Sequence, residues 1–259
     1  MKIRKLVAAA VAAVLAAGTM AGCGGGRKNY VVLDEALSSE EYGIGFRKED
    51  AALRNEVWKL LVEMNQNGEF ETISKKWFGE NVSKLPDSYE PEAATDDSLQ
   101  KIKDKGKLVL GLDVALPPMG FRDEDGNITG FDIDLAKAVC KKLGVELEIT
   151  PIIWDNKEKE LNDRKIDVVW NGMTITDERK EAMNMTPAYM GNRQVLVVME
   201  GSDIKSKSDL EGKKLTLQKG STASEALDAH PEIKEKLAGG APTKLDDNVT
   251  ALLELSQGK

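Results

Sequence analysis

The sequence predicts an α/β fold built on mixed, mainly parallel sheets. Three observations lead there: apolar runs of strand length alternate with amphipathic helical stretches, the links between them are short, and no internal repeat breaks the alternation. At 259 residues, 41% apolar and 31% charged, the chain has an ordinary globular composition and enough length for one large or two medium domains. Its 36 basic and 44 acidic side chains leave a formal charge of −8. The basic residues are dispersed, without an aromatic-studded stripe, so no nucleic-acid partner is expected.

The first element is a secretory signal. Met1 to Lys5 is basic, Leu6 to Ala17 is apolar and Ala-rich, and small residues lead to Met20-Ala21-Gly22-Cys23. The apolar run is shorter than the ~20 residues a membrane span needs. Cys23 after Ala-Gly resembles a bacterial lipobox, which implies cleavage before Cys23 and lipid on its sulfur. Gly24, Gly25 and Gly26 suit a flexible tether. With Cys23 lipidated, Cys140 has no partner; it falls on the apolar side of its helix and reads as a core thiol.

Val31–Leu33 and Tyr42–Phe46 read as two short strands with a Ser- and Glu-rich connection between them. Leu53, Val57, Leu60, Leu61 and Met64 share one face of a helix that Gly68 stops. Phe70, Ile73, Trp77 and Phe78 form a second, shorter one. Residues 83–98, with Pro86, Pro91 and several acids, read as a linker. Beyond it the expected helices are 99–105, 132–143, 156–164, 177–183, 222–229 and 248–255. The expected strands are 107–112, 145–149, 166–170, 194–199 and 215–218.

In open α/β sheets ligands bind beyond the carboxyl ends of strands. Thr176 can cap the helix whose first turn holds Asp177, Glu178 and Arg179. The helix dipole disfavours a cation there, so Arg179 calls for an anionic partner. That partner is Asp177, Glu178 or another surface acid on the bland reading, and a ligand carboxylate on the functional one. Thr222 and Glu225 have capping-box spacing after Gly220 and Ser221. Asp113 ends a strand before the Pro-stiffened, apolar stretch Leu116-Pro117-Pro118-Met119, as a turn-former or as an ammonium partner. Trp154 follows the strand-like Ile152-Ile153 and Trp170 ends a strand, each as core or as a site wall. The one His, His230, has no Ser or Asp partner in view, and no metal-ligand cluster stands out, so neither cofactor nor catalysis is expected.

Several stretches together resemble family 3 of the solute-binding proteins, the polar amino-acid receptors of ABC importers. They are Gly106-Lys107-Leu108-Val109-Leu110-Gly111, Gly130-Phe131-Asp132-Ile133-Asp134-Leu135-Ala136, Gly172-Met173-Thr174-Ile175-Thr176-Asp177-Glu178-Arg179, Gln218-Lys219-Gly220-Ser221-Thr222, Tyr42-Gly43-Ile44-Gly45-Phe46 and Lys75-Lys76-Trp77-Phe78-Gly79. The resemblance implies a periplasmic-binding-protein-like (type II) fold of two α/β lobes that close on an amino acid. It also implies an extracytoplasmic, lipid-anchored monomer serving an ABC permease. Arg179 would grip the ligand carboxylate, with Thr174 and Thr222 as further donors. Asp113 and Gly172 would face the ammonium or side chain, and Trp154 would form an aromatic wall. Asn171 and Gln218 would line the pocket, with Leu116, Trp170 and Ser221 beside them.

The order of segments departs from the family. Strand Tyr42–Phe46 and the Trp77-Phe78-Gly79 helix usually come last, and here they come first. The resemblance therefore implies a circular permutant. Its expected parts are a signal peptide (1–22), tether (23–29), second-lobe segment and hinge (30–42), C-terminal part of the first lobe (43–82), linker (83–98), main part of the first lobe (99–190) and second lobe (191–259). The linker reaches up to ~50 Å extended, ample for joining old termini. The resemblance also implies that the second lobe lacks roughly twenty residues, enough for one strand and its connections, with weakened ligand binding as the expected result. Two alternatives stand beside the receptor: a rearranged or truncated derivative that no longer binds, and a dehydratase-type enzyme on the same fold.

Overall fold

The computed structural model describes residues 29–258; the signal segment, Cys23 and the tether as far as residue 28 lie outside them. The chain divides into two compact units. The larger is Glu40–Asn192, and the smaller combines Arg193–Lys259 with the chain up to Ser39.

Strand β1 (Tyr30–Phe46) runs unbroken from the smaller unit into the larger. Two short strands were expected there, because Ser38, Ser39, Glu40 and Glu41 carry no apolar alternation. The backbone stays extended without it: those side chains are half-buried or exposed, and Leu33 and Leu37 anchor one end while Tyr42 to Phe46 are buried at the other.

In the larger unit, helices α1 (Ala51–Gln66), α2 (Glu69–Phe78) and α3 (Ser98–Lys105) precede β2 (Lys107–Leu112). The small antiparallel strands β3 (Ala115–Leu116), β4 (Gly120–Arg122) and β5 (Ile128–Thr129) follow. Then come α4 (Phe131–Leu143), β6 (Glu146–Pro151), α5 (Lys157–Asn162), β7 (Val168–Thr174), α6 (Asp177–Ala182), β8 (Asn184–Met185) and β9 (Met190–Met199). The main sheet has the order β6-β2-β7-β1-β8, with β9 also paired to β1. Strands β6, β2 and β7 are parallel, and β1 is antiparallel to β7 and β8. All seven residues of β7 are buried, as a strand covered on both faces requires.

One core cluster unites α1, α2 and α4 with the sheet, and Phe131 stands edge-on to Phe70 at 5.6 Å and to Phe78 at 5.0 Å. A second cluster brings Trp154, Leu161 and Ile166 against Val109, Val169 and Met173. Residues 83–98 lie along α1 as a strap. Leu85 is buried, Asn55 Nδ2 donates to the Glu92 carbonyl at 2.9 Å, and the Arg54 guanidinium forks onto the Glu92 carboxylate at 3.0 and 2.6 Å. Because most of these bonds use backbone carbonyls and a single acid, the strap needs no apolar period.

The smaller unit holds β10 (Thr216–Gln218), α7 (Ala223–Asp228), α8 (Pro231–Lys234), β11 (Thr243–Leu245) and α9 (Asn248–Ser256). Strands β10 and β11 are parallel, and the core collects Leu33, Leu196, Val198, Leu210, Leu217, Leu227, Ile233 and Leu237.

Candidate functional site

At the end of β7 the chain turns into α6. The Thr176 hydroxyl accepts the Arg179 backbone N–H at 3.2 Å, the cap its position predicts. The cap fixes the first turn, and from it the Arg179 guanidinium turns inward. It is buried, donates to the Thr174 carbonyl at 2.8 Å and lies 6.0 Å from the Trp154 ring centre. Asp177 pairs instead with Lys180, at 3.3 Å on the exposed face. The Thr174 hydroxyl donates to the Glu40 carboxylate at 2.9 Å, which also accepts from Asn192 Nδ2 at 2.9 Å.

Two residues before Thr174, still within β7, Gly172 has φ +52°, and an added Cβ would come within 3.0 Å of the Tyr42 ring, 3.2 Å of Met119 and 3.4 Å of Leu116. Glycine is needed there for the backbone and for the space. Its N–H donates at 2.7 Å to Asp132, a wholly buried carboxylate whose other oxygen accepts the Tyr189 hydroxyl at 2.8 Å. Burial pushes the Asp132 carboxyl up to about 7, against the pull of Tyr189, Gly172 and Trp170. The Asp113 carboxylate accepts the Ala115 N–H at 2.9 Å, and its backbone N–H donates to Asn171 Oδ1 at 3.1 Å. The structure thus brings Leu116 beside Gly172, and Asp113 beside Asn171. Trp170 is wholly buried, 6.4 Å from Tyr189 and edge-on to it.

Trp154 is buried against α5, and Lys157, the first residue of that helix, lays its ammonium 5.1 Å from the same ring centre. Lys157 is buried too. Burial lowers its pKa and the Arg179 charge lowers it further, while Glu158, Asp155 and Glu178 pull the other way.

In the smaller unit Gln218 is buried, donating to the Asp246 carbonyl at 3.1 Å and accepting from Asn248 Nδ2 at 3.2 Å. Ser221 donates to the Gln218 carbonyl at 2.8 Å. The capping box expected of Thr222 and Glu225 does not form: Thr222 makes no side-chain cap, and its hydroxyl accepts from Gln194 Nε2 at 3.3 Å. The 3.3 Å partner lies far away in sequence, where spacing rules cannot see it.

Sequence reasoning missed Glu40, Asp132, Tyr189 and Lys157. Glu40 sits in the stretch read as a connection, and Asp132 reads as an ordinary first-turn acid. Lys157 carried a usable signal, the same misplaced cation at a helix start that singled out Arg179.

Among known proteins, the L-cystine-binding protein TcyJ of Escherichia coli (strain K12) is 33% identical over 168 residues, 64% of this chain and 61% of its own length. The chain therefore spans about three-fifths of that relative. An ABC uptake transporter substrate-binding protein from Streptococcus pneumoniae, solved with bound histidine, is 40% identical with a TM-score of 0.60, covering 62% of this chain and 66% of that one. The ancestral amino-acid-binding protein AncCDT-1, described as a precursor of cyclohexadienyl dehydratase, is 37% identical with a TM-score of 0.55, over 62% and 71%. These are two-lobed α/β proteins of type II, and the mixed, mainly parallel sheet of the larger unit is of that class. Residues 108–252 match one family throughout, from β2 through the Arg179 turn to α9. With that match spanning more than half of its length, the chain belongs to the bacterial extracellular solute-binding proteins, family 3.

Proposed function

We propose that this chain receives a polar amino acid outside the cytoplasm and delivers it to the membrane permease of an ABC importer. The observation that carries the reading is the inward Arg179 side chain, held by a capped turn, buried and fixed on the Thr174 carbonyl. A guanidinium so held presents a preformed fork to a carboxylate and loses little freedom on binding. With ligand bound, the Thr174 hydroxyl turns from Glu40 to donate to that carboxylate, and Asp113 faces the ligand ammonium. Trp154 and Leu116 supply apolar wall, with Asn171, Gly172 and Trp170 behind it. In the smaller unit Gln218, Ser221 and Thr222 are the proposed ligand contacts. Its relatives are named for binding cystine, arginine and glutamine.

Several finer points belong to the same reading. The protein is a monomer, anchored by lipid on Cys23 to the outer face of the cytoplasmic membrane. It is a receptor and no enzyme, and needs no cofactor. Its segment order is permuted, a reading supported by the packing of α2, before the strap, against α4 after it.

Thermal-shift titration with the twenty standard amino acids, cystine and ornithine tests the reading. Saturation at a hundredfold excess over Kd stabilises by ~2.7 kcal/mol, a shift of several degrees. Arg179→Ala should abolish that shift. Either no response to any of these compounds or full binding by the variant would refute it. The likeness to AncCDT-1 favours one second reading, a dehydratase; turnover of a bound compound would establish it.

A further inference from the structure

We propose that Glu40 is a ligand-binding residue, which takes the α-ammonium of the bound amino acid while Arg179 takes its carboxylate. The inference deepens the receptor reading above and rests on it. Strand geometry sets Glu40 on the relevant face. Side chains two positions apart on a strand share a face, so Glu40 goes with Tyr42 on β1. Tyr42 lies directly opposite Thr174 of the antiparallel β7, and the Thr174 hydroxyl meets the Glu40 carboxylate. On this same face a Cβ at Gly172 would meet the Tyr42 ring and Leu116, two positions among the proposed ligand contacts. Glu41 alternates away, its carboxylate 2.6 Å from the exposed Lys84 ammonium.

Two strands fix the Glu40 carboxylate: the Thr174 hydroxyl of β7 and Asn192 Nδ2 of β9 each donate to it at 2.9 Å. Thr174 links it to Arg179, whose guanidinium donates to the carbonyl of the same residue at 2.8 Å. An anion and a cation therefore bracket one residue, and both act on the buried Tyr42 hydroxyl. Burial raises the pKa of that hydroxyl, Glu40 and Asp132 raise it further, and Arg179 lowers it. An α-amino acid carries its two charges on one carbon, so the groups that hold them must stand this close together. When the Thr174 hydroxyl turns to the ligand carboxylate, the ammonium replaces the donor that Glu40 gives up. The new bond is charge-assisted at both ends and stronger than the one it replaces. Glu40 is half-buried, open to a ligand yet less screened than a surface acid. Asp113 shares the ammonium, which has N–H groups enough for both carboxylates. A Glu40 needed only to tie β7 to β9 would serve equally well as glutamine, whose carbonyl oxygen accepts the same two donors.

Isothermal titration of the full-length protein decides it. L-arginine, L-glutamine, L-histidine and L-cystine are each compared with the analogue lacking only the α-amino group: guanidinovalerate, glutaramate, imidazolepropionate and dithiodipropionate. Any other amino acid of the thermal-shift set that binds is compared with its own desamino acid in the same way. The wild-type protein should prefer the amino acid that it binds over the analogue, and Glu40→Gln should cut that preference by about tenfold or more. Affinity for the analogue should change by no more than about threefold, and Glu40→Asp should keep more of the preference than Glu40→Gln does. Circular dichroism checks folding, and Glu40→Ala makes the same comparison should the Gln variant not fold. Equal losses for amino acid and analogue would make Glu40 a structural tie only; a preference that is absent from the wild type, or that survives Glu40→Gln, would leave the ammonium to other groups. Each of these results overturns the proposal and leaves the receptor reading standing. Absence of binding by the whole amino-acid set overturns both.

Discussion

Asp132 is wholly buried, and its pKa is carried by burial from its ordinary 3.8 to about 7. The titratable groups around it include Tyr189, which donates to it, and Tyr42, whose hydroxyl is held protonated by burial first, then by Glu40 and by Asp132 itself. Because the folded pKa lies above the unfolded one, the folded protein holds a proton that the unfolded chain releases. The Asp132 contribution to stability is therefore full below about pH 4, is lost as pH rises towards about 7, and stays lost above that. The displacement corresponds to ~4 kcal/mol, an upper bound that water penetration reduces. Asp132→Asn removes the penalty and keeps the geometry. Its carbonyl oxygen can accept the Gly172 N–H, and its amide can donate to the Tyr189 oxygen. Urea unfolding of both proteins from pH 4.5 to 8.5 should show the variant gaining on the wild type as pH rises to about 7 and holding that gain above it, ~3 kcal/mol over the range. Every other carboxylate titrates equally in both proteins, so the difference isolates Asp132. A difference that stays constant across the range would refute the reasoning.

Two further outcomes follow from the larger unit. Gly172→Ala places a methyl 3.0 Å from the buried Tyr42 ring at φ +52°; denaturation should show a loss of about 1–3 kcal/mol, and ligand affinity should fall with it. Cys140 is buried and its thiol is pushed up to about 12, so at pH 8 it should react with a thiol reagent only as fast as the protein unfolds. Rapid labelling of the native protein would contradict that.

Much of the architecture was legible because it depends on near neighbours. The spacing of Leu53, Val57, Leu60, Leu61 and Met64 marks the buried stripe of α1, and the Thr176 cap follows from residue type and position. Arg179 stood out for the same local reason. The continuity of β1 through Ser38–Glu41 was hidden, since a strand stretch with polar, solvent-facing residues has no apolar period to display. The strap was hidden likewise. Its bonds run from Asn55 and Gln66 to the carbonyls of Glu92 and Asp87, and backbone acceptors leave no mark on residue choice.

The sequence by itself determined the α/β alternation, the amphipathic helices, the capped turn at Thr176 and the family motifs, because each is written in residues a few positions apart. Only the tertiary structure decided which polar groups meet. It sets Asp132 under Gly172, turns the Thr222 hydroxyl to Gln194 in place of a capping box, and lays Lys157 with Arg179 on one indole. The physical reason is common to all three. A buried polar group takes whatever partner the packed chain brings within about 3 Å, and that partner's distance along the sequence has no bearing on the choice.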